Sequence, residues 1–184
     1  MAQLIIVILS IVLTAVTIFA SLNYMPSWMN QANDTYAVVK TGLTTLETAY
    51  AAAAKANGGV APAPNTGLPD GGLSTNFSPY YGYLPKAPRG YSWKYGRNTN
   101  VNTDYFCLYS SSPQAHEGIW RGMNRVRNVL SDGQYFILAG NEGACSAANG
   151  TTLATPQSDA AKAPPGSYPA QLAVMYLVKY LPGP

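Results

Sequence analysis

The chain has 184 residues, of which only 10% are charged, and its net charge is +3. A charged fraction so far below the usual quarter, with Gly, Pro, Ser, Thr, Asn and Tyr in its place, argues against a charged cytosolic enzyme and for an exported, turn-rich protein. The small, dispersed positive charge leaves no nucleic-acid footprint, and the length allows one domain with an appendage.

The first predicted element is an apolar helix. Residues 1–25 read MAQLIIVILSIVLTAVTIFASLNYM and carry no charged side chain; the first acidic residue is Asp34 and the first basic one is Lys40. An uncharged run of about 20 residues is long enough to cross a bilayer. Three readings compete. A cleavable signal peptide needs a basic start, and nothing basic precedes Leu4. A plain anchor ordinarily carries Lys or Arg on its cytoplasmic flank. Here that flank is bare, so we expect that a basic leader ahead of Met1 has been removed. The third reading is a helix that leaves the membrane and packs with copies of itself. Ser10, Thr14, Ala15, Thr17, Ala20 and Ser21 are small enough to let helices approach, although Ser and Thr can equally bond the carbonyls of their own helix.

Pro26 deletes a helical hydrogen bond and predicts a break. Periodicity then resumes. Trp28, Ala32, Tyr36, Val39, Leu43, Leu46, Tyr50 and Ala53 recur in steps of three or four, so 28–56 is expected to be an amphipathic helix with one buried stripe. Asn57, Gly58 and Gly59 supply its stop. An interrupted helix over 2–56 would run about 80 Å at about 1.5 Å per residue.

The stretch 58–90 reads as a long exit loop, with turn and polyproline chemistry at 61–64, 69–72 and 86–89. Tyr80, Tyr81, Tyr83, Tyr91, Trp93 and Tyr95 interleave with Lys86, Arg89, Lys94 and Arg97. That pattern fits a surface that stacks sugars or bases. It also fits a strand pair whose aromatics pack a sheet onto the helix, and the strict alternation of Tyr91, Trp93 and Tyr95 favours this second reading. A further strand is expected at 105–111. A helix follows over 114–131, with Ile119, Met123, Val126 and Leu130 as its apolar stripe. Its basic face of Arg121, Arg125 and Arg127 is read as solvated. Strands are expected at 134–139 and 171–181, with a loop-rich 141–168 between them.

The expected fold class is therefore α+β. A long N-terminal helix, apolar in its first half and amphipathic in its second, packs on a small antiparallel sheet of about four strands with one short extra helix. The expected division is 1–57 for the helix and 58–184 for a β-rich head, whose edges and loops at 58–90 and 141–168 would meet neighbouring copies. Cys107 and Cys145, an even and minimal count in an exported chain, are expected to form a disulfide.

Catalytic chemistry is not expected. There is one histidine, His116, no His/Cys/Asp/Glu cluster at metal spacing, and no phosphate-cradling glycine loop. Ser110, Ser111 and Ser112 lie near His116 without a placed carboxylate. No cofactor is implied. Sequons at Asn33, Asn76 and Asn149 are candidate glycan sites where a host has the machinery.

An uncharged apolar helix from residue 1, its amphipathic continuation to Ala56, a Gly/Pro-rich exit, a β-rich C-terminal part and a late cysteine pair together resemble the type IV pilin superfamily, and more its type IVb or minor-pilin branch. The resemblance implies a structural subunit of an extracellular pilus or fimbrium, inserted in the inner (cytoplasmic) membrane before assembly and handled by the pilus assembly machinery. It implies a processed, methylated N-terminus at Met1 and a filament core packed by Leu4, Ile5, Ile8, Ile11, Val12, Ala15, Ile18, Phe19 and Leu22. It also implies a helix break at Pro26 and a head clamped by Cys107 and Cys145. The implied partners are copies of the same chain, and a host surface, DNA or phage at the exposed head. The chain departs from the family at its fifth position, where pilins carry a glutamate that pairs with a neighbour's amino terminus; here it is Ile5. That departure keeps open a minor pilin, a pseudopilin or a tip adhesin of a secretion or DNA-transfer (conjugation) machine. A membrane-anchored binding domain that never polymerises is a third class.

Overall fold

The computed structural model describes residues 2–23, 27–98, 103–110, 117–130, 135–139, 145 and 172–179; the side chains of 2, 4, 21–23, 135–139 and 172–179 lie outside that description. Two long helices come first, α1 (Ala2–Asn23) and α2 (Ser27–Ala56). The end of α2 is where the glycines put it. Asn57 N–H donates to Ala53 O at 3.0 Å and Gly59 N–H to Ala54 O at 2.8 Å. Gly58 and Gly59 hold φ of 69° and 93°, a left-handed backbone that only glycine adopts without strain.

The buried stripe of α2 is close to the expected one, with informative exceptions. Ala32, Val39, Leu43, Leu46, Tyr50 and Ala53 are buried, and so are Thr35, Gly42, Ala49 and Ala54. Trp28 and Tyr36 are only half-buried. Gly42 is buried because the helix presses onto the sheet there: a Cβ on it would sit 2.7 Å from Trp93 Cζ2.

The exit stretch is more ordered than a loop. It contains α3 (Leu73–Asn76) and α4 (Ser78–Tyr81), each a single turn. Asp70 starts the first of them, accepting from Gly72 N–H at 2.9 Å and Ser74 N–H at 2.8 Å. Burial works to raise the Asp70 pKa, but the bonds from Ser74 and Gly72 outweigh it and hold the carboxyl below its usual value. Pro79 opens α4 at a position where its missing N–H costs nothing. Leu73 and Phe77 are fully buried and join the core. With α5 (Glu117–Arg127), the described residues hold three short helices rather than the one expected, because four residues are too few to show a helical period.

The sheet has four antiparallel strands in the order β1-β2-β4-β3: β1 (Tyr91–Asn98), β2 (Thr103–Ser110), β3 (Tyr135–Ala139) and β4 (Leu172–Lys179). The β1–β2 register runs from Tyr91↔Ser110 to Asn98↔Thr103; β4 pairs with β2 through Phe106↔Tyr176 and with β3 through Ile137↔Val174. Strand ends differ from expectation by one or two residues. The helix expected over 114–131 is shorter, and 111–116, 131–134 and most of 141–168 lie outside the described residues. The outer edge of β1 is not open along its length: Tyr91 N–H donates to Pro88 O at 2.9 Å and Tyr95 N–H to Asp70 O at 3.0 Å. The exit stretch thus covers part of an edge expected to face a neighbour.

The core lies between α2 and the sheet. Tyr50, Phe77, Tyr95 and Phe106 form its centre, with ring centroids from 5.0 Å (Phe77–Tyr95) to 6.4 Å (Tyr50–Tyr95). Ile119, Met123 and Val126 of α5 belong to the same cluster, with Leu130 packed against it. What brings α5 this close to α2 is Gly118 and Gly122. A Cβ on Gly122 would stand 2.6 Å from Thr35 Cβ and 2.7 Å from Ala32 O, and one on Gly118 would stand 2.7 Å from Trp28 O. In an open helix Gly→Ala gains about 1 kcal/mol. Here the contact decides the sign, because backbone cannot move aside cheaply. Gly122→Ala is expected to destabilise the head by about 1–3 kcal/mol, read by urea unfolding of the full chain in detergent; a stabilised variant would mean that the helices separate freely.

Candidate functional site

Two constellations stand apart from ordinary core packing: the naked surface of α1 and a buried polar node in the head. Every described side chain of α1 is exposed, without a gap over 5–20. Ile5 is 58% exposed and Phe19 72%, values normal for charged residues and abnormal for isoleucine and phenylalanine. Ile8, Ile11, Val12, Ala15 and Ile18 are likewise exposed. The helix hides its polar atoms instead. Ser10 Oγ donates to Val7 O at 2.9 Å, Thr14 Oγ1 to Ser10 O at 2.6 Å and Thr17 Oγ1 to Leu13 O at 2.9 Å. These hydroxyls therefore need nothing from a neighbour, which suits a dry surrounding. Leu4 and Leu22 belong to α1 by their backbone but their side chains lie outside the description. Met1 and Pro26 lie outside the described residues; α1 ends at Asn23 and α2 begins at Ser27, on either side of the expected break.

Among the described residues, no helix is long and apolar enough to cross a membrane. The helical backbone of α1 has 22 residues, about 33 Å at about 1.5 Å per residue.

The polar node is built on Asp104, which is fully buried in β2. Its Oδ1 accepts from Arg97 Nε at 2.7 Å and its Oδ2 from Arg97 Nη2 at 3.1 Å, a two-point ion pair. Tyr50 Oη of α2 donates to Oδ2 at 2.8 Å, and Tyr95 Oη lies 2.8 Å from both Oδ2 and Pro62 O. Arg97 Nη2 also donates to Ala61 O and Pro62 O at 3.1 and 2.9 Å. One carboxylate thus ties α2, β1, β2 and the start of the exit stretch together. Burial, then the neighbouring Asp104, pushes the Tyr95 hydroxyl pKa far up, so it stays protonated. Burial alone would lower the Arg97 pKa, but the Asp104 bond overrides it and leaves the guanidinium more firmly charged than usual.

Cys107 and Cys145 form a disulfide with a Cα–Cα distance of 5.8 Å and a separation of 38 residues. Both are buried, and Tyr105 Oη donates to Cys145 O at 3.3 Å. Reduction is expected to cost the head about 3–4 kcal/mol in the chain-entropy model while α1 stays helical. Urea unfolding with and without reductant, followed in parallel by far-ultraviolet circular dichroism, measures both.

Other expected sites divide. Tyr91, Trp93 and Tyr95 are 7%, 2% and 1% exposed and serve the core, so they present no stacking surface. Tyr80 and Tyr81 are half-buried in α4, where Tyr81 Oη donates to Leu73 O at 2.6 Å. Asn33 Oδ1 accepts from Arg125 Nη1 at 2.8 Å, and Asn76 Nδ2, the nitrogen that would carry a sugar, donates to Ala63 O at 2.8 Å; Asn149 and His116 lie outside the described residues. The basic face of α5 is not simply solvated. Arg121 and Arg125 stack over Trp28 and Tyr36. Among the described residues no group of three or more His, Cys, Asp or Glu is placed to hold a metal. The Asp104 node went unread because its members lie on four separate segments. Its one visible signal is an aspartate inside an apolar strand. Comparison with protein-family models, with curated proteins and with solved structures finds no match.

Proposed function

We propose that the chain is a structural subunit of an extracellular, type IV pilus-like filament. It sits in the inner membrane through α1 before assembly and bundles through α1 with copies of itself afterwards. One observation carries this reading: α1 is charge-free, its described side chains are all exposed, and its described hydroxyls are bonded within the helix. Burying an Ile, Leu, Val or Phe is worth about 1.5–3 kcal/mol per side chain. A run of such residues left in water would be costly, so lipid or another copy is its natural surrounding. The head supports the same reading, because among the described residues its core cluster contains no α1 side chain.

Ile5 favours a second reading, a minor pilin, pseudopilin or tip adhesin, in which no docking charge is needed because nothing seats above it. Negative-stain imaging of the native assembly, with quantitation of the chain in sheared filaments, separates the two. Fibres in which this chain dominates support a major subunit. Fibres with trace amounts support the minor one. Discrete particles and no fibres would sink both and leave an anchored binding domain.

A further inference from the structure

The face where α5 lies along the start of α2 combines aromatic rings with cations. Arg121 Cζ stands 4.5 Å from the centre of the Trp28 ring and Arg125 Cζ 4.9 Å from that of Tyr36, while Lys40 Nζ approaches the Tyr36 ring at 5.6 Å. Gly118 meets Trp28 and Gln31, and Gly122 meets Ala32 and Thr35, so α5 runs parallel to α2 with Arg121 nearer the α1 end. Trp28 lies in the first turn of α2, directly after α1. Trp28 and Tyr36 are about 12 Å apart along the helix, comparable with the polar layer of a bilayer plus about one Debye length. The Arg121 side chain is 42% exposed although it is bonded to Glu117. On this stretch Lys40, Arg121 and Arg125 outnumber Asp34 and Glu117. Arg121 Nε and Nη2 hold Glu117 Oε1 and Arg125 Nη1 holds Asn33 Oδ1, so each guanidinium is fixed against its ring as a positive charge at the surface. Trp and Tyr backed by arginine, just beyond an apolar helix, is the composition of a membrane–water interface.

We propose that this face docks on the anionic phospholipid headgroups of the membrane that holds α1, with Arg121 and Arg125 taking lipid phosphates. The inference rests on the proposed insertion of α1. The test reconstitutes the full chain into phosphatidylcholine vesicles with a graded series of phosphatidylglycerol fractions, starting from none, each carrying lipid brominated near the headgroup. Flotation reports α1. Quenching of the Trp28 emission, taken as the difference from Trp28→Phe, reports the face. Trp28 is expected to be quenched more in the anionic vesicles. Arg121→Gln with Arg125→Gln should raise the phosphatidylglycerol fraction needed for half-maximal quenching by about fivefold or more. The Lys pair at the same positions should keep most of the effect, which controls for folding. A chain that floats with Trp28 unquenched, or quenched regardless of phosphatidylglycerol and of the arginines, overturns the docking surface and leaves α1 insertion standing. Trp28 unquenched in vesicles but shielded in filaments overturns it in favour of a second copy. A chain that does not float removes the insertion and this inference with it.

Discussion

Under the proposed assembly, Val12→Arg in α1 is expected to abolish filaments while leaving the head folded. Val12 lies within the continuous apolar run and is 53% exposed, so its side chain faces whatever surrounds the helix. An arginine at the centre of a membrane helix costs about 2.5–3.5 kcal/mol on insertion scales, and no acidic residue on α1 is there to pair with it. In the proposed bundle the penalty would recur in every subunit, because each helix would meet copies carrying the same charge. The head should not notice, since Val12 is exposed and contributes nothing to its core. Val12→Leu, which changes only volume, should assemble normally. Negative-stain yield and head unfolding, measured on the same preparations, give the answer. Filaments from Val12→Arg at the parental yield would place α1 outside the filament core.

The second large effect is expected at Asp104. Removing one partner of a buried ion pair costs about 3–5 kcal/mol because the other charge stays buried, a large share of a typical domain stability of about 5–15 kcal/mol. Asp104→Ala would leave the Arg97 guanidinium without its carboxylate and release the hydroxyl of Tyr50. Replacing both charges at once is a different experiment. Arg97→Met with Asp104→Leu should recover much of the loss, because a well-packed apolar pair can substitute for a buried ion pair. Urea unfolding of the two variants decides it: a loss under about 1 kcal/mol in Asp104→Ala would mean that water or a nearby group takes over the role of the carboxylate.

How much was legible varies with range. The apolar run of α1, the end of α2 at Gly58 and Gly59, and the alternation of Tyr91, Trp93 and Tyr95 are local patterns, and the elements formed there are those the patterns predict. Each is governed by neighbours within about one helical turn or one strand step. The cysteine pair was legible for a different reason: with only two cysteines, the partner was never in question.

What the residues could not disclose depends on distance in the chain. That β4, last in the chain, lies between β2 and β3 is decided by pairings between distant segments. Gly118 and Gly122 look like helix weakeners until Ala32 and Thr35 arrive opposite them. Trp28 and Tyr36 were assigned to the buried stripe by their spacing, yet they are only half-buried, and what lies over their rings is the arginines of α5, far along the chain. The sequence by itself determined that an uncharged apolar helix is followed by an amphipathic one, because hydrophobic periodicity is local. Only the tertiary structure decided that an aspartate in an apolar strand would become the knot of that head, because Asp104 is stable there only once Arg97, Tyr50 and Tyr95 have converged on it.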